Sequence, residues 1–110
     1  MRPFGTALLI AGVDETGAHL FATDPSGTFV EYKVGSEGEG RSGAMAYFEE
    51  NYKEDMMLEE AIGMGIKAVH KGSEGRLNPD AVEIAVVDTI EKFRKLSRDE
   101  SKILVKKAIG

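Results

Sequence analysis

Thr6 to Val13 is apolar on both of its alternating sets of positions, the pattern of a strand covered on both faces, and it is read as a central strand. Asp14-Glu15-Thr16-Gly17 then supplies turn chemistry. Ala18 to Thr23 sets His19, Phe21 and Thr23 against Ala18, Leu20 and Ala22, which predicts a hairpin. Asp24-Pro25-Ser26-Gly27 forms a second turn signal, because proline presets φ at the second position while Asp and Gly suit the first and last. A third antiparallel strand over Thr28 to Val34 completes a meander whose apolar face needs a cover.

Past the glycine-rich stretch Gly35 to Gly43, the period changes. Ala44, Tyr47, Phe48 and Tyr52 recur at helical spacing, with Glu49, Glu50 and Lys53 on the wet side. Leu58, Ala61, Ile62, Gly65, Ile66 and Val69 form a second stripe, which Gly72 is expected to close as a left-handed cap. Asn78-Pro79-Asp80 marks a loop. Val82 to Val87 is long enough for a strand and too short for a helix, and is expected to join the same sheet system. Ile90 to Leu96 is read as an outer strand. Ser97-Arg98-Asp99-Glu100 fits a capping box, opening a terminal helix with Ile103, Leu104 and Ala108 inward. The class is α+β, antiparallel sheets with packed helices, in a single domain over residues 1–110.

Composition narrows the partners. Nineteen acidic residues against fourteen basic ones give a net charge of −5 without a basic block, which argues against nucleic acid. Cysteine is absent, which removes disulfides, thiolate nucleophiles and cysteine-ligated metals. The run Thr6 to Val13 is far shorter than a membrane span, and no cleavage pattern follows a basic region, so a soluble, unexported chain is expected. Met1 stands directly before a strand-like segment, so the start is read as a cut.

The strongest chemical candidate is Gly35-Ser-Glu-Gly-Glu-Gly40-Arg41-Ser42, which nearly spells the phosphate-binding G-x-x-x-x-G-K-S between a strand and a helix. Val82 to Val87 ending in Asp88 even imitates the magnesium-holding strand of such a protein. Three features oppose it. Arg41 replaces the compact lysine ammonium with a planar guanidinium. Glu37 and Glu39 place like charge where an anion would sit. The preceding strand follows two hairpin turns rather than a parallel crossover.

His19 and His70 lie on different elements without carboxylates at ligand spacing, so both are read as surface or boundary residues. Glu49-Glu50 and Glu59-Glu60 are consecutive helix positions, whose side chains diverge, and are read as solvated faces. Met45, Met56, Met57 and Met64 are assigned to core packing. Ser26 belongs to a turn and Ser97 to a cap, and no G-x-S-x-G elbow occurs. The residues thus nominate no catalytic, cofactor-binding or metal-ligating position and no cofactor.

Read in order, these segments resemble the second half of archaeal-type proteasome core particle α subunits. Arg2-Pro-Phe-Gly5 followed by Ala7-Leu-Leu-Ile-Ala-Gly-Val-Asp14 looks like the family's R-P-[FY]-G-x-[AS]-x-[LI]-[LI]-[AG]-G-x-D. Leu20-Phe21 with Asp24-Pro-Ser-Gly27 looks like its next hairpin. Glu49-Glu50-Asn51-Tyr52, Leu58-Glu59-Glu60-Ala61-Ile62 and Val82-Glu83-Ile84-Ala85-Val86-Val87 are similar to its central helices and following strand, and Phe93-Arg94-Lys95-Leu96-Ser97 with Glu100 to its ending.

The resemblance implies part of the four-layer αββα sandwich of N-terminal-nucleophile hydrolases. It also implies a non-catalytic, cytoplasmic structural role: α subunits form rings that cap the catalytic β rings, gate substrate entry and dock activators. The β-type paralogues cleave with an N-terminal threonine aided by an early aspartate and lysine, none of which Met1-Arg-Pro-Phe supplies. Only Ser36 has a counterpart among their later residues. A threonine-type peptidase of the β kind and a phosphate binder using Gly35 to Ser42 stand as the alternatives.

The family's first half, with its gate and activator-docking lysine, is missing from this reading. Met57 stands where the family has Ser or Thr as a helix cap, a change worth about 1 kcal/mol. Glu37 and Glu39 make the loop before Ser42 more acidic than the family's. A half sandwich exposes strand edges and an apolar face, so the expected partners are proteasome α and β subunits for a complete subunit and a second copy for the isolated half, with neither nucleic acid nor membrane.

Overall fold

The computed structural model describes residues 8–23, 28–88 and 92–109. Arg2-Pro-Phe-Gly5 and the turn Asp24 to Gly27 lie outside the described residues. Strands β1 (Leu8–Asp14) and β2 (Gly17–Thr23) form the first hairpin. Its turn closes because the Asp14 carboxylate accepts the Thr16 amide at 2.8 Å, and because Gly17 takes φ +117°, a value that a side chain would strain. β3 (Phe29–Tyr32) pairs antiparallel with β2, with Leu20 opposite Tyr32 and Ala22 opposite Val30.

The sheet order is β1-β2-β3, so the middle strand is β2 and not β1. The apolar run of β1 foretold a strand covered on both faces. Instead Leu9 and Ile10 are 40% and 49% exposed, because no described residues pair with the outer edge of β1 or cover both of its faces.

Helices α1 (Arg41–Asn51) and α2 (Leu58–Gly72) lie side by side and hold the main core. Ala44, Phe48 and Ala68 are buried together, with Val34, Met45, Tyr47 and Met64 packed against them. The first stripe faces inward as expected, while in the second Ala61, Ile62, Gly65 and Ile66 turn inward but Leu58 and Val69 are 51% and 52% exposed and Ala68 is buried instead; Glu49, Glu50, Glu59 and Glu60 are exposed. Met57 departs from its core assignment: it is 72% exposed at the N-cap of α2, where its side chain makes no capping bond. The Glu60 carboxylate reaches back to the Met57 amide at 3.4 Å and supplies half of a box.

Gly72 is not the left-handed cap. The helix closes two residues later, where the Glu74 amide donates to the Lys71 carbonyl and the Gly75 amide to the His70 carbonyl, the bond pair of a Schellman ending. The left-handed residues are Glu74, at φ +58°, and Gly75, at φ +79°. Gly72 does something else. A Cβ on it would stand 2.6 Å from the Gly40 carbonyl oxygen, and a Cβ on Gly40 would stand 2.8 Å from that of Gly72. Bare backbone at both positions lets the start of α1 rest on the end of α2, with Gly43 also close to Gly72.

Asn78 caps a short 3-10 turn (Pro79–Ala81), its side chain accepting the Asp80 amide at 3.0 Å. β4 (Ala85–Asp88) and β5 (Lys92–Lys95) then pair antiparallel in a separate two-stranded sheet. The expected joining of Val82 to Val87 to the first sheet does not occur among the described residues. Its backbone pairs with β5, extended by a bond from the Leu96 amide to the Ile84 carbonyl, while the run lines a groove beside α2.

Ser97 and Glu100 form the expected capping box, each accepting the other's backbone amide at 3.1 Å. The helix they open, α3 (Arg98–Ile109), packs on α2 and on the 3-10 turn, where Lys102 meets Asp80 at 2.9 Å. Its inward stripe is Ser101, Leu104, Val105 and Ala108. Val105 is fully buried and Ile103 is 65% exposed, so the stripe lies one helical step away from the expected Ile103.

Candidate functional site

The loop that nearly spells a phosphate site is built differently. Gly38 takes φ +111°, and the Arg41 amide donates to the Gly38 carbonyl at 3.2 Å, so this first amide of α1 is already engaged. Arg41 Nε lies 3.2 Å from Glu37 Oε1, one turn away. The cation that would meet an anion is held by the loop's own carboxylate. Both features oppose a phosphate cradle, in line with the charge argument from the sequence.

The densest polar cluster lies elsewhere, on the sheet face that carries Ile10 and Phe21. His19 Nδ1 lies 2.6 Å from Glu31 Oε2, and Nε2 lies 2.6 Å from the Thr16 hydroxyl and 3.4 Å from Asp14 Oδ1. The Thr16 hydroxyl donates to the same Asp14 oxygen at 2.6 Å. Pairing register explains the assembly: Glu31 is directly opposite Phe21 and therefore diagonal to His19, while the tight turn folds Asp14 and Thr16 back toward the ring. The Phe21 ring stacks alongside at a centroid distance of 6.0 Å.

Sequence spacing concealed this cluster. Glu31 is twelve positions from His19, and only the two-turn meander brings them together. No carboxylate stands at metal-ligand spacing from His19 in the sequence, and the fold brings two to its ring by register and turn. The cluster is not a metal centre, because its two carboxylates address opposite ring nitrogens and cannot converge on one ion with the imidazole. The hydrogen bond that His19 donates to Glu31, opposed by partial desolvation and aided by the Asp14 charge, raises the His19 pKa above 6.5. The two bonds from Thr16 chiefly hold the Asp14 carboxyl below its ordinary value of 3.8. His70 is half-buried on α2, and its Nδ1 is shielded from solvent without a hydrogen-bond partner.

Apolar surface is the other prominent feature. Leu9, Ile10, Val30 and Tyr32 are exposed on the sheet, Met57, Leu58 and Val69 on α2, and Phe93 on β5. Between the helix pair and β4 runs an open groove of about 460 Å³, walled by Phe48, Ile62, Ile66, Val69, Ile84 and Val86. The groove is the part of this apolar surface whose lining is continuous.

The family model for the proteasome subunit matches residues 1–87. The chain belongs to the proteasome subunit family. It is 49% identical over all 110 residues to the proteasome subunit alpha of Methanopyrus kandleri, covering 44% of that protein. It is 52% identical over 106 residues, or 94% of its length, to that of Methanoculleus marisnigri, again 44% of the relative. With the subunit of Methanothermobacter thermautotrophicus it shares 48% over 101 residues, 91% of this chain and 41% of the relative. The chain therefore spans less than half the length of these relatives. The family match takes in both the His19 cluster and the Gly40–Gly72 contact, while β5 and α3 lie beyond it and are reached by the alignment to the Methanopyrus protein.

Proposed function

We propose that the chain supplies a non-catalytic, structural part of a proteasome core particle α subunit, folding as a single domain that packs against the rest of the subunit and its α and β neighbours. The observation that carries this reading is the 49% identity to an α subunit along the entire chain. The exposed apolar residues on β1, α2 and β5 support it, since an assembly surface needs them and an isolated domain does not. In this role the chain has no catalytic, cofactor or metal residues of its own and acts in the cytoplasm. No helix among the described residues is long and apolar enough to cross a membrane.

Size-exclusion chromatography with light scattering across a range of concentrations tests the reading. Mass should rise with concentration as apolar faces find a second copy. A well-folded monomer that persists at the highest concentration overturns the assembly role. In the same preparation, the purified chain should leave small fluorogenic peptides uncleaved. Turnover by the chain alone would support the threonine-peptidase alternative instead.

A further inference from the structure

The contacts around the His19 ring are all made at once in a single protonation state. Glu31 as a carboxylate only accepts, so the short contact at Nδ1 needs an N–H there. While the single hydroxyl proton of Thr16 is given to Asp14, the Thr16 oxygen can only accept from Nε2. For all of these bonds to form together both ring nitrogens must donate, and only the imidazolium has two N–H groups.

We propose that Asp14, Thr16, His19 and Glu31 form a pH-sensitive clasp between the β1–β2 turn and β3 whose full set of bonds is made only while His19 is protonated. A neutral imidazole always breaks one link. With its proton on Nδ1 it keeps Glu31, but Nε2 then takes the hydroxyl proton of Thr16 away from Asp14. With its proton on Nε2 it keeps the Thr16 relay and turns a lone pair toward the Glu31 carboxylate. The charged groups facing the ring are Asp14 from the end of β1 and Glu31 from β3, both anions, so both favour the charged form.

The His19 pKa is raised in the fold, so its contribution is complete below the ordinary value of 6.5 and is lost as pH rises through the raised value. The Asp14 pKa is lowered, so its contribution is present above 3.8 and is lost as pH falls through the lowered value. The clasp is closed between those limits. Its alkaline edge lies closest to neutrality, and that edge would loosen the face bearing Ile10 and Phe21.

The test is a nuclear magnetic resonance titration of the whole chain, following the two His19 ring nitrogens together with the amides of Thr16 and Glu31. Both nitrogens should remain protonated above pH 6.5, and the two amides should move with the same midpoint as the ring. Glu31→Gln should shift that midpoint downward. Thr16→Val should uncouple residue 16 from it while leaving the Glu31 amide responsive. Both substitutions are at exposed positions, and the unaffected amides of α1 and α2 report that the fold is retained. A midpoint at or below 6.5, a midpoint indifferent to Glu31→Gln, or a Thr16 amide that ignores the His19 titration would each overturn the clasp.

Discussion

The three-stranded sheet is richer in apolar residues than the helix pair, yet it is the helix pair that buries them, and the two are held in opposite ways. On α1 and α2, Ala44, Phe48, Ile66 and Ala68 are nearly inaccessible. In the sheet, no residue whose side chain is described is buried, although the β1–β2 ladder runs unbroken from Leu8–Thr23 to Asp14–Gly17. The helix pair is stabilised by apolar burial, and the sheet by backbone pairing and cross-strand polar contacts. Strand geometry needs only neighbours in the hydrogen-bonding direction, whereas burial needs a layer above. An apolar sequence therefore does not by itself mean a buried one.

The largest break in this comparison should come from Phe48→Ala. Phe48 is 8% exposed and sits at the centre of the α1–α2 core, so truncation should cost about 3–5 kcal/mol. Urea unfolding followed by far-ultraviolet circular dichroism measures it. A loss below about 1 kcal/mol would be typical of a surface position and would mean that the helix pair is not the source of the chain's stability.

The helical region was also the more legible one in the sequence, and for the same reason. Its stripes at Ala44, Phe48, Ile62 and Ile66 are satisfied within the chain, so period and burial agree. The apolar runs of β1 and Val82 to Val87 encode contacts that the described residues do not complete, so reading them as central or joined strands overshot. Local hydrogen-bond chemistry was legible wherever a few residues suffice, as in the Ser97–Glu100 box and the Asp14–Gly17 turn. Where two distant segments meet, it was not. Gly72 looked like a cap because its contact with Gly40 depends on antiparallel helix packing, and His19 looked isolated because Glu31 arrives through pairing register. The family resemblance was carried by segments spread over the whole chain, and the family match and the relatives agree with it.

A smaller effect of opposite sign sharpens the contrast. Glu74 holds φ +58° at the Schellman ending of α2, where a side chain crowds the backbone and glycine does not. Glu74→Gly should therefore stabilise the chain by about 1 kcal/mol, the low end of the left-handed penalty. Thermal unfolding should show a higher midpoint. An unchanged or lower midpoint would mean that the greater freedom of glycine in the unfolded chain offsets the relief at the helix end.

The smallest effect should fall on the sheet. Ile10 is 49% exposed on the face shared with Phe21 and His19, and Ile10→Thr keeps a β-branched residue while reducing apolar area. At concentrations where the chain is monomeric, the change should move unfolding free energy by no more than about 0.5 kcal/mol, as expected of a surface position. At concentrations where copies associate, a covered Ile10 would add its own burial to the assembly, so the substitution should reduce the mass seen by light scattering. A large loss in the dilute monomer would mean that this face is packed within the chain, and the division between a buried helix pair and an uncovered sheet would fail. A null result in both regimes would leave that division intact and place the assembly contacts on the other apolar surfaces, the α2–β4 groove and Phe93.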